Sequence, residues 1–238
     1  MVVGLDPFPD RVTEPEAFCK RIIDAVASHA VAVKPQSAFF EARGWQGVRA
    51  FERVCDYARA AGLLVIADTK RGDIGTTAQA YVDAVRPHAD AATVNPYLGG
   101  DSVQPFLDAC RDGFGIFVLV KTSNPGSGDV QDARLEDGRR VWELVAEHVS
   151  RWGREFPSVG AVVGATYPEE LATARARLPA ALFLLPGVGA QGATAADCAP
   201  AFAGPALVSA SRAVIFADDP ASAAARLARE VWDVAQAA

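Results

Sequence analysis

Eight short apolar runs alternating with longer amphipathic or Ala-rich stretches, a length of 238 residues, and polar side chains gathered at the ends of successive apolar runs predict an α/β fold, a closed (β/α)8 barrel of the TIM type. The alternation is what βα units and a parallel sheet leave in a sequence. The length suits a single barrel of about 250 residues, so one domain over 1–238 is expected. Half of the residues are hydrophobic, enough to bury a large core.

The apolar runs fall at 2–5, 31–34, 64–69, 91–94, 116–121, 160–163, 182–185 and 206–209. Most are rich in Val, Ile and Leu, as strands buried on both faces require. Helical patterns occupy 15–30, 45–61, 102–111, 138–154, 168–177 and 220–235. The first opens behind Thr13-Glu14, whose acid complements a helix dipole, and the second ends at Gly62. The stretch after Ala193 is a weaker helix, interrupted by Pro200, Gly204 and Pro205. No linker or short repeat divides the chain. The first strand starts at the second residue, so the chain is read as short at that end.

A net charge of −6 does not draw nucleic acid or an anionic membrane to the surface. An anionic ligand therefore needs a local basic pocket. No apolar run approaches the roughly 18 residues of a membrane span, and the N-terminus lacks a basic, cleavable leader, so a cytoplasmic location is expected. Cys19, Cys55, Cys110 and Cys198 match no metal or redox spacing and are read as reduced packing residues. His29, His88 and His148 fall in helical segments and are read as surface or helix-end residues.

The chemistry gathers where such a barrel keeps its active site, at the C-terminal ends of the strands. Asp6, Lys34, Asp68 with Lys70, Asn95, and Lys121 with Ser123 end five consecutive runs. In Asp68-Thr69-Lys70-Arg71-Gly72-Asp73, residues two apart share a face. Asp68 and Lys70 are therefore expected to face the axis and Thr69 to point outside. Gly72 is expected to turn the chain so that Asp73 swings back, placing the ammonium between carboxylates. Carboxylates keep such an ammonium charged and able to give up a proton. A structural ion pair is the plainer reading of an isolated D-x-K; Asp6 and Lys34 at neighbouring ends weigh against it.

Pro186-Gly187-Val188-Gly189-Ala190-Gln191-Gly192 follows the seventh run and suits a phosphate through exposed backbone amides. Ser211-Arg212 follows the eighth and adds a guanidinium. The loop 123–128 has the glycines and length of a lid over a small ligand.

Together these residues resemble the orotidine 5′-phosphate decarboxylase family, most closely its bacterial branch with Lys-Pro-Gln after the second strand and Thr-Ser-Asn-Pro after the fifth. The resemblance covers nearly the whole chain. It includes Gly4-Leu5-Asp6-Pro7, Val33-Lys34-Pro35-Gln36, Phe39-Phe40-Glu41 and Asp68-Thr69-Lys70-Arg71-Gly72-Asp73-Ile74 with Thr77. Asn95-Pro96-Tyr97-Leu98-Gly99, Val163-Gly164-Ala165-Thr166, the glycine loop and Ser211-Arg212 complete it.

The resemblance implies decarboxylation of orotidine 5′-monophosphate to UMP without metal or cofactor. It implies that Lys70 protonates C6, that Asp68 faces the substrate carboxylate, and that Lys34 contacts ribose and Asp68. Asp6 is implied as a ribose ligand and Ser123 as a pyrimidine ligand. Gln191 is implied as a lid residue linking phosphate and base. Arg212 is implied as the phosphate clamp, beside Pro186, Gly187, Gly189, Gly192 and Ser211. Asp73 and Thr77 are implied to reach across a homodimer into the partner's site.

Two departures stand out: a missing segment before the first strand, and Ala210 where some relatives have glycine ahead of Ser211-Arg212. Lys121 receives no role. The rival readings are a Mg²⁺-dependent sugar-phosphate decarboxylase or hexulose-phosphate synthase with the same D-x-K-x-x-D core, and a non-catalytic phosphate-ligand sensor on the same barrel.

Overall fold

A computed structural model describes residues 1–189 and 192–238. Eight parallel strands close into a barrel in the order β1 to β8. They are β1 (Val2–Leu5), β2 (Ala32–Pro35), β3 (Leu64–Arg71), β4 (Ala91–Val94), β5 (Gly115–Lys121), β6 (Val159–Val163), β7 (Phe183–Pro186) and β8 (Ala206–Ala210). Around them lie α1 (Pro15–Val26), α2 (Ser37–Glu41), α3 (Gly44–Ala60), α4 (Gly75–Val85), α5 (Gly100–Cys110), α6 (Gly128–Gln131), α7 (Val141–Glu155), α8 (Pro168–Arg177), α9 (Arg212–Ile215) and α10 (Pro220–Ala237).

The strands stand close to their sequence expectations; several helices do not. Helix α1 stops at Val26, and His29 and Ala30 close the following turn on Val26 O. The fourth helix was not visible in the sequence. Gly75-Thr76-Thr77 is a poor helix start, one glycine and two β-branched residues, and Ala78, Val82 and Val85 become helical by packing inward. The weak stretch after Ala193 is a 3-10 helix, Ala196–Ala203, with Pro200 inside it.

Two apolar layers form, one on each side of the sheet. Val3, Val33, Val65, Ala92, Val118, Ala161, Leu185 and Val208 face outward to the helices. Val2, Ala32, Ile66, Ala91, Phe117, Val162 and Leu184, with Leu207, form a separate cluster that fills the barrel. Each strand contributes at least one residue to this plug, so the interior is packed rather than open. Gly160 is required there: a Cβ would sit 2.8 Å from the Phe117 ring.

At the N-terminal rim Arg175 is buried, and no carboxylate among the described residues pairs with it. Its guanidinium donates to the carbonyls of Ala201, Leu178, Pro179, Ala181 and Pro205 and stacks on Phe183 at 3.7 Å. Burial draws it down to about 10, and the carbonyl dipoles stand in for a counter-ion. Among the described residues no helix is long and apolar enough to cross a membrane.

Candidate active site

The period-two alternation that fills the barrel also builds the site above it. Two residues beyond Ala32, Ile66, Ala91 and Leu207 come Lys34, Asp68, Thr93 and Ser209; four beyond Val2 and Leu207 come Asp6 and Ser211. All of these line one cavity of about 710 Å³ at the C-terminal mouth, a size that suits a small ligand. Leu119, Val162 and Leu184 form its apolar floor. Lys34, Lys70 and Arg212 set three cations against the two carboxylates of Asp6 and Asp68. The acidic protein thus carries a locally basic pocket.

Asp68 organises the centre. It is 4 % exposed and takes donors on both oxygens. Lys34 Nζ and Gln36 Nε2 (3.1 Å) donate to Oδ2; Lys70 Nζ and Thr93 Oγ1 (3.0 Å) donate to Oδ1. Burial alone would raise the carboxyl, but Lys34 and Lys70 outweigh it and hold Asp68 at about 2. Burial likewise opposes the charge on Lys34, and Asp68 with Asp6 reverses that, so Lys34 is held above the usual lysine range. The three side chains form an alternating row, Lys34–Asp68–Lys70. Its inner lysine is 8 % exposed, while the outer one leaves 43 % of its side chain open to the cavity.

Lys70 owes its direction to a distorted backbone. Ala67 pairs with Ala92 and Arg71 pairs with Val94, so three residues of β3 span the single residue Thr93. Within this bulge Lys70 has φ 46°, a left-handed conformation found at no other described non-glycine residue. The turn therefore lies at Lys70 and at Gly75 (φ 51°) rather than at Gly72. Gly72 serves a close approach: a Cβ there would lie 3.0 Å from Asn95 O.

On the opposite rim Pro186, Gly187, Ser211 and Arg212 border the cavity. Gly4 lets Ser211 approach, since a Cβ at position 4 would stand 2.8 Å from the Ser211 Cβ. Two polar atoms at this mouth, Asp6 Oδ1 and Ser211 Oγ, are buried with no partner among the described residues. Such groups are satisfied when a polar ligand occupies the cavity.

A profile of the Orotidine 5'-phosphate decarboxylase / HUMPS family matches residues 1–227. The chain belongs to this family. The orotidine 5'-phosphate decarboxylase of Deinococcus radiodurans is 50% identical over 235 residues, covering 91% of this chain and 84% of that protein. That of Roseiflexus castenholzii is 45% identical over 255 residues, covering 100% of this chain and 92% of the relative. The solved OMP decarboxylase of Leishmania donovani superposes with a TM-score of 0.88 at 39% identity, covering 99% of this chain and 93% of that one.

The residues expected at the site divide between the cavity and its surroundings. Asp6, Lys34, Asp68, Lys70, Ser123, Pro186, Gly187, Ser211 and Arg212 line the cavity; Asp73, Thr77, Gly189 and Gly192 do not. The expectation of an ammonium between two carboxylates is corrected here. Among the described residues of one chain Lys70 pairs with Asp68, and Asp73 Oδ1 accepts the Ile74 N–H at 2.8 Å. The turn expected at Gly72 lies instead at Lys70 and Gly75, so Asp73 does not swing back. Gly189 and Gly192 shape the loop, with positive φ and N–H groups bonded to Ala193 O and Gly189 O. Gln191 lies outside the described residues.

Lys121 turns away from the cavity. Leu119 pairs with Val162 but Lys121 pairs with Val163, so a bulge reverses the facing of the strand end. The loop after β5, expected as a lid, forms a 3-10 turn (Pro125–Ser127) running into α6. Lys121 pins it through Asp132 and Ser127, and Gln131 bonds back to Thr122. Gln36 and Thr93 are among the cavity residues that went unassigned in the sequence. The spacing of Lys34-x-Gln36 and Ala91-x-Thr93 carried the signal for both.

Proposed function

We propose that this chain is an orotidine 5′-monophosphate decarboxylase of pyrimidine biosynthesis, folded as one domain over 1–238, releasing CO₂ and UMP. The observation that carries the reading is the Lys34–Asp68–Lys70 row at the mouth of the cavity, in a chain that belongs to this family.

In this reading the nucleotide phosphate lies against Gly187, Ser211 and Arg212, with Pro186, Gly189, Gln191 and Gly192 forming and closing the loop around it. Asp6 and Lys34 take the ribose hydroxyls and Ser123 the pyrimidine. The substrate carboxylate then faces Asp68 and the pyrimidine C6 faces the Lys70 ammonium. The C6–carboxylate bond breaks, the electron pair stays on C6, and Lys70 delivers an Nζ proton to it; solvent reprotonates the amine. The ammonium, fixed beside the carbon where charge develops, stabilises that charge before the proton moves. Phosphate contacts far from C6 supply binding energy to hold the ring against Asp68.

The functional unit in this reading is a homodimer. Ile74 and the neighbouring Tyr97 and Leu98 expose apolar surface on the loops after β3 and β4. Burying that surface brings Asp73 and Thr77 of each protomer to the partner's cavity.

The test is the fall in ultraviolet absorbance when purified protein meets orotidine 5′-monophosphate in excess EDTA. Steady turnover in chelator supports the reading. No turnover with chelator, and turnover of a sugar phosphate restored by Mg²⁺, assigns the chain to the metal-dependent sister chemistry instead.

A further inference from the structure

Thr93 sits across from the extra residues of the β3 bulge, and its side chain does there what a strand backbone does elsewhere. Its Oγ1 accepts the Lys70 N–H at 2.9 Å and donates to Asp68 Oδ1 at 3.0 Å. A hydroxyl has one proton to give, so these two bonds fix its orientation completely. The residue is 1 % exposed, leaving no water to take over either bond. The Thr69 hydroxyl adds a bond to the Thr93 carbonyl at 3.4 Å, tying the bulge to β4 a second time.

The consequence falls on Lys70. An L side chain in the left-handed region persists only where its surroundings hold it. The bulge removes the regular β4 carbonyl from the Lys70 N–H, and the Thr93 hydroxyl replaces it. The same oxygen sets the Asp68 carboxylate plane, whose Oδ1 anchors the Lys70 ammonium. One buried hydroxyl thus holds both ends of Lys70, its backbone and, through Asp68, its charge.

We propose that Thr93 is a positioning residue for the decarboxylation, an inference that rests on the activity proposed above. Its hydroxyl locks Lys70 in the left-handed conformation and aims the ammonium from Asp68 into the cavity. Valine has the same shape but cannot make either bond. With it, Lys70 relaxes toward ordinary extended backbone and its Nζ leaves the line to C6. Serine keeps both bonds.

The experiment compares Thr93→Val and Thr93→Ser with the wild-type protein in steady-state turnover of orotidine 5′-monophosphate, with UMP affinity by calorimetry. Thr93→Val is expected to lower kcat by on the order of ten- to a hundredfold, the scale of a small misplacement of a reacting group. KM and UMP affinity should stay within about threefold, since Thr93 spends its bonds on the protein. Thr93→Ser should recover most of kcat. Should the valine variant not fold, Thr93→Ala removes the hydroxyl without a second methyl and is read the same way. An active wild type with unchanged kcat in the hydroxyl-free variant overturns the inference, as does a serine variant as slow as that one, or a parallel loss of kcat and UMP affinity. An inactive wild type overturns the decarboxylase reading itself, and this inference with it.

Discussion

Lys121 and Asp132 form a two-pronged ion pair, Nζ standing 2.9 Å from Oδ1 and 2.8 Å from Oδ2. The lysine is 2 % exposed and the aspartate side chain 36 %, so the pair is lopsided in its burial. The ammonium also lies 5.4 Å from the Tyr167 ring centre. Its effect is to fasten the loop that begins at Thr122 and carries Ser123 to the outside of the barrel wall.

That asymmetry makes an ordered prediction. Asp132→Ala strands a buried ammonium and is expected to cost about 2–3 kcal/mol. Lys121→Met leaves Asp132 able to rehydrate and keeps the packing volume, so it is expected to cost less, about 1 kcal/mol. Urea unfolding of the two variants checks the order. Equal costs, or a larger cost for Lys121→Met, contradict this account of the clasp.

Lys70→Ala removes the ammonium without touching the phosphate rim. UMP binding measured by calorimetry is expected to survive, while turnover drops by on the order of a thousandfold or more, combining lost proton transfer with lost charge stabilisation. Turnover near the wild-type rate in this variant removes Lys70 from the chemistry.

Shared sites have a distinctive signature on mixing. Asp73→Asn alone is expected to lower activity, and so is Lys70→Ala. If Asp73 serves the partner's cavity, a hybrid dimer has one site with neither substitution. Activity should then rise after the two variants are mixed and allowed to exchange, approaching about a quarter of wild type, since half of the dimers are hybrid and each holds one intact site. Activities that merely average on mixing argue for self-contained sites.

Asp68 also predicts how stability follows pH. Its carboxyl is held at about 2 in the folded chain against 3.8 as the ordinary value. A depressed folded value means the stabilisation is complete above pH 3.8 and is lost as pH falls toward 2. The full contribution is roughly 2 kcal/mol, of which about 1 kcal/mol should vanish between pH 5 and pH 3. Lys34, held above its ordinary 10.5, acts oppositely: its contribution is complete below that pH and fades as pH rises past it. Urea midpoints of wild type and Asp68→Asn at pH 5 and pH 3 test the acid limb; a constant gap between them contradicts it.

Much of the barrel was legible before any coordinates. The eight strands follow from continuous apolar runs, because a strand covered on both faces has almost no polar position to spare. Asp6, Lys34, Asp68, Ser211 and Arg212 were legible as neighbours around one cavity because a closed barrel opens its strand ends onto one mouth. Helix α4 was hidden because its start, Gly75-Thr76-Thr77, favours other conformations and only packing on the barrel makes it helical.

What the chain alone determined is the alternation: which side chains face the axis, and so which chemistry meets at the mouth. What only the folded molecule decided lies where that alternation breaks. The bulge at Ala67–Arg71 bends Lys70 onto Asp68 and leaves Asp73 on its own loop, and the bulge at Leu119–Lys121 turns Lys121 out to Asp132. A bulge is set by the register of two strands distant in sequence. Its partner hydroxyl, Thr93, lies 23 residues beyond Lys70, and pairing at that distance exists only once the barrel has closed.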